Sequence, residues 1–198
     1  PPHCLLPLKD GTLAYVVKRF DRIGKEKVHQ ENFYQILEKK DKYAGSLEEI
    51  GKTLKPKVRS VINIKNRGAG IPDGGLFTPD QLQKGSAAEP APGQIPARGV
   101  IEIKGTREDA WAVADGEQVS RYWGKYRQVL VSNYRDFVLV GRDAEGKLSK
   151  LESYRLAESE SEFWAAAAHP RAVADKHGER FVEYLRRVML HAAPLAAP

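Results

Sequence analysis

The chain has 198 residues, 41% of them hydrophobic and 29% charged, and its 32 Lys and Arg outweigh 26 Asp and Glu for a net charge of +6. No apolar run reaches the roughly 20 positions that a bilayer-crossing helix needs, so no membrane span is expected; the single cysteine, Cys4, excludes an internal disulfide and suits a reducing cytoplasm. The positive balance permits a polyanionic partner, but the basic residues are interspersed with acidic ones, so charge by itself is a weak argument for nucleic acid. In chain order, Pro1-Pro2-His3-Cys4 has neither the basic flank nor the apolar core of a signal peptide and no initiator Met, so the sequence is expected to begin inside a longer protein. Thr12 to Phe20 is predicted as a strand entered by the Lys9-Asp10-Gly11 turn, with Leu5 to Leu8 as its hairpin partner. A helix is expected over Glu31 to Lys40, where Phe33, Ile36 and Leu37 share a face, and a second short one opens at Ser46, with Glu49 completing a capping box.

The segment Val17-Lys18-Arg19-Phe20-Asp21-Arg22, followed by His29-Gln30-Glu31-Asn32-Phe33, resembles a piece of the HipA-type serine/threonine kinases. The resemblance covers residues 1–54 and implies that Val17 to Phe20 stands where that family's strand borders the adenine of ATP. The family's N-D-x-H-x-x-N catalytic run and the metal-binding Asp that follows it have no counterpart in this sequence, so residues 1–54 are taken as a non-catalytic HipA-like fragment. Lys18 to Arg22 is equally well explained as the charged end of a hairpin.

From Arg59 the texture changes. Ser60 to Ile64 is a β-branched alternating run, and Lys65 to Gly70 turns the chain into Ile71-Pro72-Asp73-Gly74-Gly75-Leu76-Phe77, so a hairpin is expected there. Thr78 to Ala97 is rich in Pro, Gly, Ala and Gln without periodicity and is expected to be a mobile excursion with a disordered tip. Gly99 to Gly105 is predicted as a strand that sends Ile101 and Ile103 into the core from one face and carries Glu102 and Lys104 on the other. Arg107 to Trp111 is expected to be a short loop, and Asp115 to cap a helix reaching Tyr126, on which Gln118 and Tyr122 share a face. Strands are expected at Val129 to Ser132, Arg135 to Val140 and Leu148 to Leu156, then a helix from Ser161 to Ala168 stopped by His169-Pro170. A last helix, about Arg171 to His191, bears the amphipathic stripe Phe181, Tyr184, Leu185, Val188 and Met189. The fold class expected is α/β, a mixed central sheet flanked by helices, preceded by a short hairpin-plus-helix segment.

Two acids and an amine from neighbouring strands are what a metal-dependent phosphodiesterase requires. Carboxylates anchor Mg²⁺, and a cation beside the attacking water offsets developing negative charge. Asp73 and Glu102 are the expected Mg²⁺ ligands, Lys104 the amine, and Gln118 a further catalytic group that hydrogen-bonds water or phosphate. Tyr122 is expected to pack beneath the site or to contact the DNA backbone, and Arg121 to bind substrate.

The order Pro72-Asp73, Glu102-Ile103-Lys104, Gln118 to Tyr122 resembles the PD-(D/E)xK nuclease superfamily in its Q-x-x-x-Y variant, over residues 58–165. Gly70 to Asp73, Val100 to Lys104, Glu117 to Tyr122 and Val129 to Phe137 are more narrowly similar to the N-terminal nuclease domain of single-polypeptide restriction-modification enzymes. This resemblance implies a restriction-endonuclease-like fold and hydrolysis of double-stranded DNA. It also implies further methyltransferase and target-recognition domains on the full-length chain, since this sequence carries no methyltransferase motif. The division expected is a HipA-like fragment at 1–54, a nuclease-like domain at 55–168, and at 169–198 a helix beginning a spacer. The superfamily often has an extra acid on a helix before the first core strand, where Glu48 or Glu49 stands; both also serve as capping and solvent-facing residues.

Each signal alone has a plainer explanation. Glu-x-Lys is common on exposed strands, and Pro72-Asp73-Gly74-Gly75 is a strong turn signal. The alternative from another class is a binding module without catalysis, or a degenerate HipA-type kinase fragment of a toxin–antitoxin system. A zinc site is not expected, because the five histidines lack ligand spacing, and no G-x-S-x-G elbow supports serine hydrolysis.

Overall fold

The computed structural model describes residues 4–7, 13–16, 47, 50–62, 64–85, 89–167 and 169–191. Cys4–Pro7 (β1) and Leu13–Val16 (β2) pair antiparallel as a separate two-stranded sheet, the hairpin that the Lys9-Asp10-Gly11 turn predicts. The helix expected at 31–40, the Val17 to Phe20 segment, and Glu48 and Glu49 lie outside the described residues.

The main sheet has six strands in the spatial order of the chain: Arg59–Ile62 (β3), Gly74–Phe77 (β4), Val100–Ile103 (β5), Val129–Ser132 (β6), Asp136–Arg142 (β7) and Leu148–Arg155 (β8). All neighbours are antiparallel except β5 and β6, which run parallel with Glu102 beside Val131 and Ile103 beside Ser132. A parallel pair needs a crossover, and two helices supply it, Ala110–Ala114 (α1) and Glu117–Tyr126 (α2). The fold is thus α/β with a mixed sheet, as composition and pattern predict.

Strand alternation sorts the core into two layers. Leu76, Ile101, Ile103, Leu130, Phe137 and Leu139 face one side. Phe77, Val100, Val129, Val131, Val138 and Val140 face the other, where Ala110, Ala114, Val119, Tyr122 and Tyr126 of α1 and α2 cover them. The first side is closed by the helix Pro170–Leu190 (α4), whose stripe Phe181, Tyr184, Leu185, Val188 and Met189 is 2% exposed or less, with the Phe181 ring 4.7 Å from that of Phe137. Burying each such side chain contributes about 1.5–3 kcal/mol, so a stripe read from sequence as leading into a spacer is bound into the core of the sheet. Leu47, Ile50 and Leu54 are buried in the same layer, so residues on both sides of the expected boundary at 54/55 share its packing. The helix Glu160–Ala167 (α3) precedes α4. Among the described residues no helix is long and apolar enough to cross a membrane.

Three local expectations are corrected. The loop expected over Arg107 to Trp111 contains the start of α1, because the Asp109 carboxylate accepts from the Trp111 and Ala112 amides as its N-cap. Asp115 ends α1 and pairs with Lys150, and Gly116 is the N-cap of α2. The excursion after Phe77 is tied down in its described part. Gln81 is buried there; its Oε1 accepts from the Thr78 and Ala97 amides at 3.2 and 3.0 Å, and its Nε2 donates to Ile95 O at 2.6 Å and Gln94 Oε1 at 3.0 Å. The tip, 86–88, lies outside the described residues.

Candidate active site

Asp73 stands where the chain enters β4. β4 and β5 are paired as far as Gly74 opposite Ile101, so Asp73 immediately precedes that pair on one strand as Glu102 immediately follows it on the other. Its backbone amide donates to Ile101 O at 3.0 Å, and its carboxylate Oδ2 accepts from the Ile103 amide at 2.7 Å. The side chain therefore takes a main-chain donor of β5, which fixes the acid against the strand that carries Glu102.

Glu102 shares its face of β5 with Val100, the face that α1 and α2 cover, and is 3% exposed. β5 carries Glu102 on the face opposite Ile101 and Ile103, as the strand period predicts, and because both faces are covered Glu102 is an enclosed charge. An enclosed carboxylate must be paired. Lys104 pairs it, with Nζ 2.6 Å from Glu102 Oε1. Lys104 follows the end of β5, and its amide donates to Ser132 O at 2.7 Å, so the parallel ladder to β6 sets the root of the side chain. The same Nζ donates to Gln118 Oε1 at 3.2 Å, and Gln118 Nε2 donates to Tyr122 Oη at 3.0 Å.

The structure thus brings together Asp73, Glu102, Lys104, Gln118 and Tyr122. Burial raises the Tyr122 pKa; the Gln118 bond opposes this, and the negative fields of Glu102 and Asp73 add to the rise. Both carboxylates are therefore close enough to act on one hydroxyl. Tyr122 is 1% exposed and lies beneath the site, the first of the two places expected for it; it offers no surface to a DNA backbone. Arg121, on the same helix, is outside the cluster: its side chain is 59% exposed and meets Glu117 at 3.8 Å. Lys125 is also exposed on α2, and Arg67, on the loop before Gly70, lies close enough to Tyr126 for its charge to offset part of the burial that raises that hydroxyl's pKa.

Sequence reading missed Tyr134. It is treated there as a turn residue, and the turn is real: Asn133 Oδ1 accepts from the amides of Arg135 and Asp136, and Tyr134 adopts φ +71°. Yet the ring is buried at 2% exposure, and its pKa is raised first by burial and then by the charge of Asp73. It is near enough to the acid to feel its charge. No motif marks it; a buried aromatic in a left-handed conformation is visible only in three dimensions.

The donor set suits a hard divalent cation. The site offers two carboxylates, and among the described residues no three His, Cys, Asp or Glu side chains are gathered as metal ligands. Mg²⁺ is commonly held by one or two carboxylates and keeps several waters, and two carboxylates are what this site could offer it. No protein-family model, curated protein or solved structure matches this chain.

Proposed function

We propose that the chain carries a Mg²⁺-dependent endonuclease domain that hydrolyses phosphodiester bonds of double-stranded DNA, with a restriction-endonuclease-like fold, as the cutting module of a restriction-modification protein. The observation that carries this reading is the enclosed Glu102 carboxylate paired with the half-buried Lys104, with a second acid, Asp73, moored to the same strand. A buried carboxylate held by a half-buried amine at the end of a short central strand is costly to place there, and the cost is explained if both act on a substrate.

Asp73 and Glu102 would hold Mg²⁺, which when bound supplies charge neutralisation at the phosphate and an ionisable water. The protein's own groups do the rest. Lys104 Nζ has three N–H donors; two go to Glu102 Oε1 and Gln118 Oε1, and the third is left to donate to a phosphate oxygen or to orient the attacking water. Arg121, Lys125 and Arg67 lie on or across α2 and would contact the phosphates on either side of the cut, contributing affinity without reading sequence. Sequence choice then belongs to the target-recognition domain expected elsewhere on the full-length chain.

The test is plasmid nicking with Mg²⁺ or Mn²⁺ titrated in. The expected result is metal-dependent nicking by the unaltered protein and none by Glu102→Gln, with duplex binding by that variant retained. Metal that neither binds nor promotes nicking, or a Glu102→Gln variant that cuts normally, sinks the reading and leaves the binding-module alternative.

A further inference from the structure

We infer that Tyr122 is a positioning residue for Lys104, acting through Gln118: its hydroxyl oxygen holds the amide of Gln118 so that the carbonyl end faces the lysine. The inference rests on the nuclease reading only for what the lysine then does.

The direction of the chain follows from donor and acceptor inventory. An ammonium has three donors and no lone pair, so the Gln118 atom 3.2 Å from Lys104 Nζ must be Oε1. That choice leaves Nε2 on the other side, 3.0 Å from Tyr122 Oη. An amide nitrogen only donates, so the phenol oxygen accepts here. If the amide turned over, its NH₂ would face the ammonium, donor against donor. The ammonium alone tells the two ends of the amide apart, and the phenol oxygen, which can accept, holds the nitrogen end that this leaves facing it.

The anchor of this chain is rigid. Tyr122 is enclosed, lies edge-on to Tyr126 at 6.1 Å between ring centres, and is packed against Gly70, where an added Cβ would come within 3.2 Å of Tyr122 Cε1 and 3.5 Å of its hydroxyl. Gly70 also has φ +109°, a conformation glycine takes without strain. From this fixed ring one turn of α2 reaches Gln118, and Gln118 reaches the amine. Held by two fixed acceptors, Glu102 Oε1 and Gln118 Oε1, Lys104 has a defined direction for its third N–H. Without the phenol oxygen, Gln118 loses the contact that orients it, and the lysine keeps a single fixed acceptor about which it can swing.

The first arm of the experiment uses metal-free protein and needs no catalytic activity. Tyr122→Phe, Gln118→Ala and Lys104→Met are combined in a mutant cycle read by thermal unfolding and by the ring resonances of Tyr122. Tyr122→Phe is expected to lower Tm by about 2–4 °C in the unaltered background and by less than about 1 °C once Gln118→Ala is present. Lys104→Met is expected to move the Tyr122 resonances when Gln118 is present and to leave them in place with Gln118→Ala. In turnover, Tyr122→Phe is expected to lower kcat roughly tenfold with KM for DNA unchanged. Additive Tm shifts, Tyr122 resonances indifferent to Lys104, or an effect confined to KM overturn the inference. A wild-type protein that shows the coupling but does not cut DNA supports the relay while sinking the nuclease reading.

Discussion

Asp73 Oδ2 accepts the Ile103 amide at 2.7 Å, a bond that an asparagine carbonyl makes as well. Asp73→Asn should therefore unfold in urea within about 0.5 kcal/mol of the unaltered protein while losing nicking, whereas Asp73→Ala should cost about 1–2 kcal/mol as well, because the amide loses its acceptor. If Asp73→Asn retains full nicking, the residue is the turn former that Pro72-Asp73-Gly74-Gly75 suggests and no metal ligand. At this scale the types and order of Asp73, Glu102, Lys104 and Gln118 were legible in the sequence, because side-chain chemistry and local spacing survive without coordinates. The mooring of Asp73 on Ile103 and the nearness of Tyr134 to its charge were not. Each joins residues tens of positions apart, and nothing in the one-dimensional order announces the meeting.

At the scale of elements, α4 is docked on β8 by a titratable contact. Tyr154 Oη lies 3.0 Å from His177 Nδ1, and burial, with smaller contributions from Lys176 and Arg180, lowers the His177 pKa. A histidine whose folded pKa is below its unfolded value binds its proton less readily when folded. Stability is therefore full above the unfolded value, about 6.5, and is lost as pH falls below it toward the lowered folded value. His191, lowered by burial and by Arg98, acts with the same sign. Tm is expected to fall between pH 7.5 and 5.5, and His177→Gln should shallow that fall; an unaltered slope would rule the contact out as its source. The amphipathic stripe of α4 was readable from its period. Two errors on the other face of the sheet have a common physical source: Asp109 and Asp115 are both acceptable caps in sequence, and only the break at Asp115-Gly116 decides which helix each serves. Gln81 escaped notice because one side chain fastening two stretches of irregular backbone leaves no periodic trace.

Across the whole molecule, a net charge of +6 says little, and the exposed bases on α2 are where the proposed nuclease reading puts the DNA. Replacing both Arg121 and Lys125 with alanine should reduce the slope of log K against log salt for duplex binding by about 2, measured with a Glu102→Gln background to prevent cutting. A slope that does not change would move the binding face elsewhere. The mixed sheet itself was foreseeable from short β-branched runs separated by turn residues. Its double burial was not, because a strand of four residues covered on both faces is too short to display which side is which.

The donor that secures Asp73 belongs to the polypeptide and not to any side chain, so no exchange of residue types along the strand, short of proline at Ile103, removes it. A lineage can discard this acid through one codon and restore it through another, with the socket kept open in between; its loss is reversible in a way that the loss of Lys104, whose companions Glu102 and Gln118 are themselves mutable, is not.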